Sequence, residues 1–339
     1  MILKCSNCFK VFDIPDDRLP KRKSVSFPCT DCGVNVSLDI QTESKTADGV
    51  AAPPKSEPKE RLTGEALKKK ILSKVKDLPP MPQTVHKARE IMANAKSDFG
   101  ELAALFETDQ SIATKILKMA NSPYYGMSGK VTSIQRASVV LGHKTLGELI
   151  TLCGTSSLLG DRLKGYGLEA GVLWKHSMAV AFGSRIIAKR KDPSLSNDAF
   201  TAGLIHDSGK LILENYIVER WDSFEDFMSG EKRTFLDAEK QILELDHAEA
   251  ASVVCKNWGF PEPLTIAIKN HHHPSCSPEN KLGYIIHVAD AITMMAGLGL
   301  GVDGSFYQME DGAMDRLDLK EEDVHDIMSG LLEAALNIS

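Results

Sequence analysis

Histidines are concentrated in the second half of this chain, where they alternate with apolar segments. Eight of the ten histidines follow residue 170, and two aspartates share their apolar surroundings. Side chains this far apart in sequence meet only if several helices pack around a common pocket. Imidazoles and carboxylates together suit iron, manganese, nickel or zinc, and one ion would not need so many ligands. The potential ligands are His176, His206, Asp207, His247, His271, His272, His273 and Asp290.

Apolar residues follow helical spacing almost continuously beyond residue 62, as in Leu67, Ile71 and Val75. No segment there alternates with the period of a strand to a comparable degree. A stretch of glycine and charged residues near residue 160 indicates a connection between two helical segments of the domain. We therefore predict an all-α domain with an N-terminal helical half, residues 62–160, and a metal-binding helical half, residues 161–339.

Four cysteines near the amino terminus form two C-x-x-C pairs that are separated by twenty residues. Two such pairs let four thiolates reach one tetrahedral zinc ion, and a short β-like segment follows each pair. A redox C-x-x-C or free thiols are the alternatives, and the paired spacing favours zinc over both. The sequence predicts a small zinc ribbon over residues 1–40, whose one zinc ion is held by Cys5, Cys8, Cys29 and Cys32.

The segment between the two predicted modules has the composition of a flexible linker. Residues 41–61 contain three prolines and almost no large apolar side chain. The net charge of −6 gives no overall positive field for nucleic acid, although the ribbon is locally basic. No apolar run is long enough to span a bilayer, and the first residues lack the apolar core of a secretory signal. We expect a cytoplasmic protein without a membrane partner.

A single histidine on an apolar helix face is usually a hydrogen-bonded core residue. The adjacent pair His206 and Asp207 is different, because burial of an ionised carboxylate without a cation is costly. The apolar residues around the pair predict a buried helix that presents it inward. Lys210 would neutralise phosphate there or would be a solvated residue after the helix. Core roles are predicted for His86, His143, His287 and His325, and buried thiols for Cys153 and Cys255.

The sequence HDSGK at 206–210 resembles the His-Asp signature of the HD metal-dependent phosphohydrolases. Upstream, the segments LPPMPQTVHKAREIM, DQSIATKILKMANSPYYG and VTSIQRASVVLG resemble the HDOD branch of the HD superfamily. The similarity covers about residues 70–295, the greater part of the chain. The resemblance implies a multi-helical HD-like fold and a bacterial regulatory role, because no general catalytic activity is assigned to the HDOD family.

The same resemblance implies a set of metal ligands and two divalent ions, which would be iron, manganese, nickel or zinc. HD enzymes hold metal through positions that match His176, His206, Asp207 and Asp290. The two-metal HD-GYP phosphodiesterases add three histidines, and the matching positions are His247, His271 and His272, with His273 in reserve. Asp207 is the expected bridge. The DGxGYP loop of those phosphodiesterases is missing, because PSCSPEN follows His273.

Two functions follow from these patterns. In the first, a signalling protein senses a metal, a nucleotide or a partner through its HDOD domain, and the ribbon is a docking surface. In the alternative, a metal-dependent phosphohydrolase acts on a phosphomonoester or a nucleotide such as a cyclic dinucleotide, with Asp207 and Lys210 as catalytic residues. A nucleic-acid-binding regulator is a weaker third possibility. The missing GYP loop favours regulation.

Overall fold

The computed structural model describes four strands between residues 2 and 39, residues 62–77, single positions between 87 and 105, and most of 110–338. The gaps after residue 110 are 126–129, 157, 231–232, 300, 303 and 305–307. The chain divides into two compact units, Met1–Glu60 and Arg61–Ser339. None of the helices in the described residues is long and apolar enough to cross a membrane.

The first unit contains two antiparallel strand pairs. Strand β1 (Ile2–Lys4) pairs with β2 (Val11–Asp13), and β3 (Ser24–Pro28) pairs with β4 (Asn35–Asp39). Strands β2 and β4 fall within the two segments that were predicted to be β-like. The four cysteines of the predicted zinc site and the predicted linker lie outside the described residues, so the ribbon stays a prediction.

The second unit is helical, and its described residues contain no strand beyond one β-bridge between Leu163 and Leu168. This confirms the predicted all-α class for this part of the chain. The helices are α1 (Gly64–Ser73), α2 (Gln110–Ala120), α3 (Ile134–Thr155), α4 (Val172–Lys191), α5 (Ser196–Ile205), α6 (Lys210–Glu219), α7 (Trp221–Met228), α8 (Phe235–Leu243), α9 (His247–Asn257), α10 (Glu262–Lys269), α11 (Lys281–Met295), α12 (Ala313–Arg316) and α13 (Glu321–Ile338).

Helix α4 lies at the centre of this unit, where it packs against α5, α11 and α13. Its residues from His176 to Ala188 are buried on nearly every face, which is the pattern of a helix surrounded by other helices. Gly203 of α5 permits this packing, because a Cβ atom there would lie only 3.0 Å from the Ala181 backbone. The close approach of α4 and α5 places His176 near His206.

Local capping determines where His247 lies. The Asp246 carboxylate accepts a hydrogen bond of 2.7 Å from the Glu249 backbone N–H, so α9 begins at His247. The helix ends at Asn257, and Gly259 then adopts a positive φ of 73° before Pro261. His247 is thus held in the first turn of a helix whose start is set by its own sequence.

The His206–Asp207 pair occupies the turn between α5 and α6, which corrects the prediction of a helix that carries the pair. Helix α5 ends at Ile205 and α6 begins at Lys210. Gly209 explains the turn, because a Cβ atom there would lie 2.6 Å from the Ala251 amide nitrogen and closer still to the His247 carbonyl oxygen. The turn therefore rests directly on the backbone of α9, and this contact brings Asp207 to His247.

We predict that Gly209→Ala destabilises the second unit by about 1–3 kcal/mol, because the added methyl group overlaps the α9 backbone. Gly283→Ala is the matched control. Its Cβ would be no closer than 3.8 Å to any neighbour, and alanine in a helix interior is favoured over glycine by about 0.5–1 kcal/mol. Urea unfolding of both variants measures the difference. Equal stability of Gly209→Ala and the wild type would contradict the close contact.

Candidate metal centre

The seven predicted ligands of the helical unit come from five elements and meet at one place. His176 lies on α4, His206 and Asp207 lie in the α5–α6 turn, and His247 opens α9. The remaining ligands are His271 and His272, which follow α10, and Asp290 of α11. Their nitrogen and oxygen atoms form three overlapping groups, and the atoms of each group lie within 4.8 Å of one another.

The centre is almost completely buried. His206 and His271 are 0% exposed, and four other ligands are at most 4% exposed. His272 is half-buried, whereas the reserve candidate His273 is exposed. Two carboxylates and five imidazoles at one buried place are costly without a cation among them. The centre therefore has the composition and burial of a metal site.

The Asp207 carboxylate lies between two groups of ligands. Its Oδ2 atom is 3.6 Å from Nε2 of both His176 and His206. Its Oδ1 atom is 3.3 Å from Nε2 of His247 and 4.0 Å from Nε2 of His271. Asp290 belongs to the first group, because its Oδ1 atom is 3.1 Å from Nε2 of His176. Each oxygen of Asp207 thus faces a different pair of imidazoles.

Four imidazoles form a hydrogen bond through Nδ1, which leaves Nε2 as the nitrogen that faces the centre. Carbonyl and carboxylate oxygens accept, so each of these Nδ1 atoms carries a proton, and a neutral ring then presents its Nε2 lone pair to the centre. The acceptors are the Leu298 carbonyl for His176 at 3.2 Å, the Gly203 carbonyl for His206 at 2.8 Å, the Ile268 carbonyl for His271 at 2.7 Å, and the Glu239 carboxylate for His247 at 2.8 Å.

Two imidazole nitrogens of the centre are buried without a hydrogen-bond partner among the described residues. They are Nε2 of His206 and Nε2 of His271. A lone pair that faces a carboxylate oxygen is repelled unless a proton or a metal ion lies between them. Five nitrogen donors and two carboxylates suit divalent transition metals. The residues present therefore fit the metal that the resemblance implies.

The charges of the centre shift the pKa values in opposite directions. Burial favours a higher pKa for Asp207, but His206, Lys210 and His247 hold it well below the usual value. Burial and the neighbouring His206 lower the pKa of His271 to about 3, so its ring is neutral and able to bind metal. Burial also lowers the pKa of His247, yet the Glu239 and Asp207 carboxylates outweigh it and raise the pKa to about 9. A metal ion must displace a proton from His247.

Lys210 is part of the buried centre, so it is not a solvated residue after the helix. It is the first residue of α6, and its ammonium donates a hydrogen bond of 2.6 Å to Oδ2 of Asp207. The same ammonium lies 5.5 Å from the centre of the Tyr166 ring. Lys210 therefore offsets the negative charge of Asp207 on the side of His176 and His206.

Glu239, which is fully buried on α8, is not among the residues predicted from the sequence. Its carboxylate accepts hydrogen bonds from the His247 ring and backbone, and from the Tyr166 hydroxyl at 2.6 Å. A signal for Glu239 was present, because it lies four residues after Phe235 on the apolar face of an amphipathic helix. Nothing in the local sequence signals the role of Tyr166.

The histidines that were assigned core roles divide into three cases. His287 confirms the prediction, because Nδ1 donates to the His271 carbonyl and Nε2 accepts from the Glu310 amide, both at 2.7 Å. The prediction is wrong for His325, which is exposed on α13. His86 and the side chain of His143 lie outside the described residues. Cys153 and Cys255 are buried free thiols, as predicted.

Comparison with known families identifies the class of protein. The HDOD domain family matches residues 78–274, which is more than half of the chain. The chain therefore belongs to the HDOD family. A curated relative is an uncharacterized protein of Treponema pallidum (strain Nichols), 25% identical over 231 residues. The match covers 65% of this chain and 42% of the relative, so this chain spans less than half of the relative's length.

Solved structures show the same fold. An HDOD domain protein with unknown function from Geobacter sulfurreducens superimposes with a TM-score of 0.67 at 24% identity, over 80% of this chain and 96% of that chain. A Shewanella amazonensis SB2B protein described as a "Putative phosphohydrolase" has a TM-score of 0.63 at 21% identity, over 79% of this chain and 96% of that chain. At these identities, the likeness shows the fold alone.

We predict that His206→Ala lowers the metal content of the protein, because Nε2 of His206 is buried beside both carboxylates. His273→Ala is the matched control, since His273 adjoins the ligands in sequence but is exposed. Elemental analysis after anaerobic loading with Mn²⁺ and removal of free metal measures the content. Equal manganese in His206→Ala and His273→Ala would contradict the assignment of His206.

Proposed function

We propose that this HDOD protein is a bacterial signalling protein whose helical unit binds two divalent transition-metal ions. One ion would be held by His176, His206, Asp207 and Asp290, and the other by His247, His271 and His272 together with Asp207. The observation that carries the proposal is the position of Asp207, whose two oxygens face two different pairs of imidazoles. A carboxylate in that position can bridge two ions.

A regulatory role is supported by the connection between the centre and the N-terminal helical half. Helix α4 carries both His176 and Arg185. The buried Arg185 guanidinium forms an ion pair with Glu148 of α3 and a hydrogen bond with the Tyr124 hydroxyl. Breaking a buried ion pair is strongly destabilising, so α3 and α4 stay joined. A change at His176 that moves α4 would therefore reach α3.

We propose the organisation that the sequence predicted: ribbon at 1–40, linker at 41–61, and helical halves at 62–160 and 161–339. Cys5, Cys8, Cys29 and Cys32 would hold a structural zinc ion, which their spacing supports. The partner would be a signalling protein, for which the ribbon is a docking surface, or a nucleotide bound by the helical unit. Paired cysteines of this spacing suit zinc in a reducing compartment, which supports a cytoplasmic location.

A metal-dependent phosphohydrolase is the second proposed function, and the position of Lys210 favours it. Its ammonium lies 2.6 Å from the proposed bridging carboxylate, where it could pair with a phosphate oxygen. Bound ions would supply a Lewis acid and an activated water. The description of the Shewanella amazonensis protein as a phosphohydrolase is consistent with this alternative. The missing DGxGYP loop of the HD-GYP phosphodiesterases favours regulation over hydrolysis.

One experiment separates the two functions. Metal-loaded protein is incubated with cyclic dinucleotides, cyclic mononucleotides and a generic phosphodiester, beside a double variant with His206→Ala and Asp207→Ala. We expect binding of a nucleotide without turnover, and altered hydrogen exchange in α3 when it binds. His273→Ala should behave as the wild type. Turnover that is lost in the double variant would overturn regulation in favour of hydrolysis.

A further inference from the structure

We infer that Glu239 is a positioning residue that sets the affinity of the ion site formed by His247, His271 and His272, and that Tyr166 holds Glu239 in place. The inference rests on the proposed two-ion centre and adds the residue that tunes one of its two ions. Glu239 would not touch the ion. It would act through His247.

Both oxygens of the Glu239 carboxylate are occupied. Oε2 accepts hydrogen bonds from the backbone N–H of His247 at 2.9 Å and from its Nδ1 at 2.8 Å. Oε1 accepts a hydrogen bond of 2.6 Å from the Tyr166 hydroxyl. The side chain is 0% exposed. A carboxylate with this burial and these partners has one orientation, and it imposes one orientation on the His247 ring.

The position of His247 in its helix explains why a separate residue is needed. The rings of His206 and His271 each donate to a carbonyl three residues earlier, at Gly203 and Ile268, so the end of their own helix orients them. His247 is the first residue of α9 and has no earlier turn of its own helix to use. Glu239 of α8 supplies the acceptor instead.

The hydrogen bond from His247 to Glu239 directs the other ring nitrogen into the centre. Nε2 of His247 lies 3.3 Å from Oδ1 of Asp207 and 2.8 Å from Nε2 of His272. A carboxylate acceptor makes imidazole a stronger ligand than a carbonyl acceptor does. His176 and His206 use carbonyl acceptors, so loss of Glu239 should weaken one ion much more than the other.

Tyr166 is the support for this arrangement. It is buried, its ring centre lies 5.4 Å from that of Phe235 on α8, and its carbonyl oxygen accepts from the Val302 amide at 3.0 Å. The hydroxyl is therefore fixed at Oε1 of Glu239 from outside α8. Tyr166→Phe removes one hydrogen bond and leaves both contacts between Glu239 and His247, so its effect should be smaller than that of Glu239→Ala.

The test titrates the full chain with Mn²⁺ after removal of metal from the helical unit, and follows binding by calorimetry. Wild-type protein should bind two ions. In Glu239→Ala one ion should bind about 10–100-fold more weakly, which is the usual effect of losing such a partner, while the other changes by less than about threefold. Glu239→Gln keeps an acceptor oxygen without the negative charge, so it should recover the part of the loss that comes from the orientation of His247. Asp237→Ala removes one of the two reciprocal hydrogen bonds of the capping box of the same helix and should leave both affinities unchanged.

A double-mutant cycle distinguishes positioning from general stability. If Glu239 acts through His247, then Glu239→Ala should have little further effect in a His247→Ala background. Equal weakening of both ions by Glu239→Ala, or additive effects in the double variant, would overturn the inference. Tyr166→Phe provides the same comparison if Glu239→Ala does not fold. Fewer than two ions in the wild type would instead refute the proposed two-ion centre.

Discussion

The buried Asp207 carboxylate is the constraint on which the rest of the helical unit depends. A charged carboxylate in an apolar interior needs cationic or hydrogen-bonding partners on every side. Lys210 supplies one of them. The Nε2 atoms of four imidazoles from four different elements face the same carboxylate, and a proton or a metal ion between them would make these contacts favourable. The helices must therefore pack so that their ligands meet at this one residue.

The close packing of the backbone serves the same requirement. Gly203 lets α5 approach α4, and Gly209 lets the α5–α6 turn rest on α9. A larger side chain at either position would separate two helices that carry ligands. Close-packed interiors transmit such displacements because they contain few voids. The positions of the ligands therefore depend on the helix packing, and glycine permits the close approach at both contacts.

The sequence predicted the helical class and the convergence of His176, His206 and Asp207 with the later ligands. Those predictions succeeded because apolar spacing is a local signal and because the HDSGK segment has a specific resemblance. The sequence did not predict that His206 and Asp207 lie in a turn, since the turn follows from a tertiary contact of Gly209. The spacing from Phe235 indicates that Glu239 lies on the buried face of α8, but only the folded chain shows that it contacts His247.

Apolar neighbours in the sequence do not determine whether a single histidine on a helix is buried. His287 and His325 both lie in helices with apolar neighbours, but only His287 is buried. Helix α11 is buried around most of its circumference, whereas α13 exposes one face, and His325 lies on that face. Burial of a whole helix depends on its neighbours in space, which the period of the sequence does not specify.

Anomalous diffraction from crystals of the manganese-loaded full chain tests most directly whether Asp207 bridges two metal ions. Two anomalous peaks are expected, one beside each oxygen of Asp207. The first peak should contact His176, His206 and Asp290, and the second His247, His271 and His272. A single peak, or two peaks that do not share Asp207, would contradict the bridge.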